Sequence, residues 1–124
     1  MGKIKKIIVL IFALIFVSCD KLIDDDFIIM NNCSDEISVK VIVFTDKSYI
    51  FNVAANADTL FLTMGGIPRP KTSEMIKTAF KHIEIIKNGV SGKKNYINQG
   101  IWTYNKITEE HYKWYLIINT EDFE

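Results

Sequence analysis

The sequence predicts a mainly β fold: a small antiparallel β-sandwich carrying one short helix. Three observations lead there. Apolar and polar residues alternate with a period of two over several short runs rich in β-branched and aromatic residues. Clusters of Asn, Asp, Ala, Gly and Pro separate those runs, and only one stretch has the spacing of a helical face.

Taken in order, residues 27–30 form a first apolar run, and Asn31, Asn32, Cys33, Ser34 and Asp35 follow as turn residues. Ile37, Val39, Val41 and Val43 then alternate with Ser38, Lys40, Ile42 and Phe44, so the two runs are expected to pair as a hairpin. Residues 49–53 and 59–64 read as a second hairpin, with residues 54–58 as its turn. Gly65, Gly66, Ile67, Pro68, Arg69 and Pro70 form a loop, the one Pro-bearing stretch. Residues 73–80 place Met75, Ile76, Ala79 and Phe80 on one helical face, which predicts a short helix closing one opening of the sandwich. Residues 82–87 return to strand. Residues 89–94 read as a hairpin turn with solvated Lys93 and Lys94; two residues, not four, separate Gly89 from Gly92, and Lys94 stands where a phosphate loop needs Ser or Thr. Thr108, Glu109 and Glu110 offer the cap and first-turn acids of a helix. The alternation of Tyr112, Trp114, Leu116 and Ile118 with Lys113, Tyr115 and Ile117 favours a final strand, buried on both faces.

The N-terminus is different in kind. Lys3, Lys5 and Lys6 precede an unbroken apolar run over residues 7–17, and the small residue Ser18 comes next, the order of a cleavable export signal. In helical form that run rises only about 16 Å against a hydrocarbon core of roughly 30 Å, too short to span a membrane. Residues 1–18 are therefore expected to be a signal peptide ending at Ser18. Asp20, Asp24, Asp25 and Asp26 make residues 19–26 an acidic tether, and residues 27–124 are left for a single domain, enough chain to bury a core. Without the three signal-peptide lysines, 12 basic residues face 15 acidic ones, a net charge of −3. That balance excludes a charge-driven nucleic-acid binder.

Phe16, Val17, Ser18 and Cys19 resemble a lipobox, in which a cysteine directly follows a small residue at the end of the apolar run. The resemblance implies diacylglyceryl transfer to Cys19, cleavage after Ser18 and acylation of the new amine, and two or three acyl chains hold stably where one does not. With its opening strand ending in Asn31, its late Trp102 and its aromatic strand running into an acidic tail at residues 112–122, the chain resembles the small lipoproteins of the Bacteroides group. Acidic residues soon after the lipidated cysteine are similar to the surface-export signal of that group. This resemblance implies a cell-envelope, outer-membrane location and an architecture, not a reaction. Asp58, Thr59 and Leu60 are similar to the short O-glycosylation motif of exported proteins of the same group, which would place a glycan on Thr59.

Catalysis needs a nucleophile, base or metal with partners, and the supply is thin. His82, His111 and Cys33 stand far apart at no ligand spacing, so no catalytic set, metal or cofactor is expected. Cys33 lies in a polar turn and loses its only disulfide partner once Cys19 is lipidated. Aromatics gather in the last third of the chain, where they serve chiefly as core. Trp102 and Tyr104, set among polar residues, are the candidates for an exposed platform that stacks a sugar ring or a partner protein. The expected function is non-enzymatic binding of a glycan or protein by a membrane-anchored lipoprotein. The alternative is a periplasmic inhibitor of a toxic enzyme.

Overall fold

The structure, a computed structural model, describes residues 22–65 and 69–124. The signal peptide, its cleavage site at Ser18 and the lipidation site Cys19 lie outside the described residues.

Two four-stranded sheets pack face to face. The strands are β1 (Asp24–Asn31), β2 (Ile37–Val43), β3 (Ser48–Val53), β4 (Asp58–Met64), β5 (Phe80–Lys87), β6 (Val90–Ser91), β7 (Trp102–Thr108) and β8 (His111–Ile118), with one short helix, α1 (Met75–Ala79), before β5. One sheet has the order β4-β1-β8-β7 and the other β3-β2-β5-β6. The fold is the small β-sandwich that the alternation predicts.

The strand pairings differ from the two expected hairpins. β1 and β2 lie in opposite sheets, as do β3 and β4. The true hairpin is β2 with β3, in register from Ile37↔Val53 to Ile42↔Ser48, while β1 pairs antiparallel with β4. Phe27 and Ile29 of β1 and Val39 and Val41 of β2 are all sealed from solvent, and the two strands face each other across the core. The β2–β3 turn is set by Asp46, whose φ of 68° occupies the left-handed region that Asp tolerates. Asn88 (φ 50°) and Gly89 (φ 79°) make the corresponding tight turn between β5 and β6.

The sandwich is not wholly antiparallel. β1 runs parallel to β8, from Asp24↔His111 to Asn31↔Ile118, so the first and last strands are neighbours in mid-sheet. β8 buries one face only: Trp114, Leu116 and Ile118 point inward, whereas Ile117 on the other face is 37% exposed. Residues 109 and 110 are the turn of the β7–β8 hairpin, not a helix start. The predicted helix is a 3-10 turn, Thr72–Glu74, followed by α1, and Phe80 already belongs to β5. Met75, Ile76 and Ala79 of α1 are buried across one end of the sandwich, as expected.

Both ends of the inner face of β1 are polar. Asn31, 1% exposed, directs its amide to the carbonyls of Asp35, Val53 and Ala54 and accepts from the Cys33 N–H, thereby tying together the two chain segments that cross between the sheets. Cys33 is buried rather than presented by a polar turn, its Sγ 3.9 Å from the Ile118 carbonyl. At the far end of the chain, Lys94 is not simply solvated: it pairs at 2.8 Å with the buried carboxylate of Asp122.

Candidate functional site

The end of the sandwich where β1 begins carries the densest polar network, and it starts at a residue assigned to a solvated tether. Asp24–Asp26 are the first residues of β1, and Asp25 alone of the three is in phase with Phe27 and Ile29, so it points into the core and is 1% exposed. Burying a carboxylate is costly without compensation. The compensation comes from Arg69, the only arginine in the sequence, which donates from Nε to Oδ2 at 3.0 Å and from Nη2 to Oδ1 at 2.9 Å. Trp114 adds a third donor, Nε1 to Oδ1 at 2.9 Å. The two-pronged contact needs the planar guanidinium fork, which a lysine does not have. Nη1 of Arg69 donates to Thr72 Oγ1 at 3.0 Å and to the Pro70 carbonyl at 3.4 Å.

Above this lock lies an aromatic ledge. The Arg69 guanidinium sits 4.3 Å from the centre of the Tyr112 ring, a cation–π contact. Tyr104 packs on Trp114 at 4.8 Å between ring centres and on Tyr112 at 6.0 Å. Trp114 is fully buried, while Tyr104 remains 49% exposed. The register Tyr104↔Trp114 puts Tyr104 on the core-facing side of an edge strand, and it stays open because β6, the outermost strand of the opposing sheet on that side, is only two residues long. The ledge is therefore a rigid apolar surface with a phenol at its rim, and the indole beneath it is fixed by Asp25. Such a surface can stack a flat partner, a sugar face or an aromatic side chain.

Of the two aromatics expected to be exposed, only Tyr104 is. Trp102 is 5% exposed, stacks on Phe80 at 5.8 Å and donates from Nε1 to the Tyr96 carbonyl at 2.7 Å. Its indole N–H finds a backbone acceptor inside the fold, which is what allows a tryptophan in a polar stretch to serve as core. Thr59 is half-buried on edge strand β4, opposite Ile29.

On the outer face of the same end, His111 Nε2 lies 2.7 Å from Asp26 Oδ2, and Thr63 Oγ1 donates to Asp26 Oδ1 at 2.7 Å. Burial alone would raise the Asp26 pKa, but the hydrogen bonds from Thr63 and His111 and the charges of His111 and Lys113 outweigh it and hold the carboxyl below its ordinary value. The hydroxyl donates to the carboxylate and not to the imidazole, so the relay of a hydrolytic triad is not formed here. Among the described residues, no group of three or more His, Cys, Asp or Glu side chains is placed to hold a metal ion. A cleft lined by Phe44, Met64, Pro70, Met75, Thr78 and Ala79 encloses about 90 Å³. Small-molecule sites run to roughly 300–1,000 Å³, so that cleft is too small to enclose an ordinary substrate.

Sequence reasoning missed Asp25 and Arg69. The available indications were the two-residue phase linking Asp25 to Phe27 and Ile29, and a lone arginine beside prolines in a chain that otherwise uses lysine. Comparison of the chain with protein-family models, with curated proteins and with solved structures finds no match.

Proposed function

We propose that the chain is a lipoprotein of the bacterial cell envelope, anchored at the outer membrane through lipid on Cys19, whose β-sandwich is a non-enzymatic binding module for a glycan or a protein. The address rests on the basic N-terminus, the short apolar run and the Ser18-Cys19 junction. The binding role rests on one observation, the half-exposed Tyr104 lying on an indole immobilised by the Asp25–Arg69 pair. Rigid, amphipathic rings lose little conformational freedom on binding and so suit recognition. The alternative, an inhibitor of a toxic enzyme, draws on β7: residues 103–108 are all exposed along a sheet edge, a template on which a partner protein can add a strand.

Trp114 lies under Tyr104 and supplies the assay. Titration of the protein with polysaccharides and their oligosaccharides should change tryptophan fluorescence for a bound glycan, and Tyr104→Ala should remove the response while Tyr104→Phe retains most of it. A response unaltered by Tyr104→Ala would move the site elsewhere. Absence of any response across a broad panel would turn attention to a protein partner. The address is tested separately by comparing the membrane fraction of the wild type with Cys19→Ala. Equal membrane retention of the two would refute anchoring.

A further inference from the structure

We infer that the end of the sandwich from which β1 starts docks on the lipid bilayer through three apolar tips, Leu22, Phe44 and Ile107, an inference that rests on the lipid anchor proposed for Cys19. The first link is length. Only four residues, five Cα-to-Cα steps, separate Cys19 from Asp24, which is already fixed in β1 with its N–H on the Glu110 carbonyl at 2.9 Å. Fully extended, that stretch reaches at most roughly 18 Å, about half a small domain, so the end carrying Asp24 stays within reach of the headgroups. Counted the same way, the full acidic tether expected from sequence would have reached about 25 Å; the entry of Asp24–Asp26 into β1 removes the difference.

The second link is what this end presents. The parallel pairing Asp24↔His111 brings the β7–β8 turn beside the start of β1, and the pairing Asp25↔Met64 brings the end of β4 there. Phe44 and Met64 line one cleft, which places the β2–β3 turn at the same end. Leu22 is 61% exposed, and Phe44 and Ile107 are each 51% exposed, one on each of three neighbouring chain segments. Phe44 follows β2, Ile107 lies at the end of β7 and Leu22 precedes β1, and the half or more of each side chain that is exposed gains nothing from water. At a bilayer surface they enter the boundary between headgroups and acyl chains.

The third link is charge. At this end Lys81 pairs with Asp46 at 2.5 Å and Lys106 with Glu109 at 2.9 Å, so those lysines are neutralised within the protein. Exposed Lys47 and Lys71 stand at the same end as exposed Asp24 and Glu110, so no one-signed patch forms and docking is driven chiefly by apolar insertion. Tyr104 lies three residues along β7 from Ile107, about 10 Å, so docking holds the aromatic ledge just above the headgroups, facing whatever is attached to or lying on the membrane.

The test uses the full lipidated protein in vesicles of phosphatidylethanolamine and phosphatidylglycerol, with or without bromine on the acyl chains as a short-range quencher. A fluorophore is placed on Thr45→Cys beside Phe44 or, as control, on Val90→Cys; Cys33 is fully buried and does not compete. Quenching is expected for the label at position 45 and not for that at position 90. Replacing both Phe44 and Ile107 by Ser should lower the docked-to-undocked ratio about tenfold or more, the partition lost with one large apolar side chain, while the membrane-bound fraction is unchanged. Equal quenching at both positions, no quenching at position 45, or quenching indifferent to the double substitution would overturn the docking. Mass spectrometry of the same sample separates the two failures: protein without lipid on Cys19 overturns the anchor and the docking together, whereas lipidated protein that is not quenched overturns the docking alone.

Discussion

Removing the Arg69 guanidinium should be among the most damaging single changes available to this domain. Arg69→Ala deletes both charge-assisted bonds to Asp25 and leaves a carboxylate that is 1% exposed with Trp114 Nε1 as its remaining donor. Breaking a buried ion pair from one side typically costs about 3–5 kcal/mol, because the abandoned charge keeps its desolvation penalty. In a domain of about a hundred residues that is on the order of 15–30 °C in Tm. Asp25→Asn should cost less, roughly 1–3 kcal/mol, since the Arg69 side chain is 13% exposed and can turn its charge toward water. Asp25→Leu with Arg69→Met, which removes both charges and fills the space, should return to within about 1 kcal/mol of the wild type. Urea unfolding followed in parallel by circular dichroism and tryptophan fluorescence measures all four proteins. A loss below about 1 kcal/mol for Arg69→Ala, or a double variant as unstable as the sum of the two single charge-removing changes, would refute the view that a buried charge is being compensated.

Three further outcomes are expected. Asn31→Asp should destabilise more than Asn31→Ala in the same urea assay, because a carboxylate would confront the carbonyls of Asp35, Val53 and Ala54 with no hydrogen to offer, whereas Ala merely removes the amide donor and leaves Ala54 its bond from the Ala57 N–H, at roughly 1–3 kcal/mol for each buried group left unpaired. Gly92→Ala should be strongly destabilising, since its Cβ would fall 1.9 Å from the Tyr96 hydroxyl and 2.8 and 2.9 Å from two ring carbons, and calorimetry should show Tyr96→Phe restoring only part of the lost Tm. That hydroxyl is buried with no well-formed hydrogen bond among the described residues, and burial together with the Asp122 charge outweighs the nearby Lys94 backbone N–H and pushes its pKa up to about 12, so Tyr96→Phe alone should be neutral or stabilising. Finally, because the folded-state pKa of Asp26 is lowered, its ionisation contributes stability that is present above the unfolded value of about 4 and lost as pH falls through the folded value. Thr63→Val removes a donor to the ionised form, so its acid unfolding midpoint should move to higher pH than that of the wild type; an unchanged midpoint would show that the hydrogen bond does not tune the carboxyl.

The strands were legible where a single face is buried. Ile37, Val39, Val41 and Val43 alternate in sequence and do so in β2. Partner choice was not legible, because Phe27 and Ile29 show the same inward phase whether β2 lies beside β1 or across the core from it. Asp46 at φ 68° marks the hairpin that does form, yet a lone Asp within Thr45-Asp46-Lys47 is weaker punctuation than Asn88-Gly89. Of the candidate site, Tyr104 was visible as an aromatic in a polar stretch. The same cue misled for Trp102, whose polar neighbours point outward while the indole turns in. Asp25 was hidden by its neighbours: three consecutive aspartates read as a solvated run, although a strand sends the middle one to the opposite face from the other two.

The parallel contact between the opening and closing strands also dictates when the molecule can exist. Asp24 meets His111 and Asn31 meets Ile118, so β1 lacks one of its two ladders until nearly the whole chain is present. A growing or threading polypeptide delivers the aromatic residues Phe27, Phe51, Phe61 and Phe80 long before Trp114 arrives to pack against Phe27. Pairings of such long sequence separation place small β proteins in the millisecond-to-second range of folding. The domain thus assembles only once β8 has arrived, in one late step, and a protein truncated before β8 should be an unfolded chain rather than a smaller sandwich.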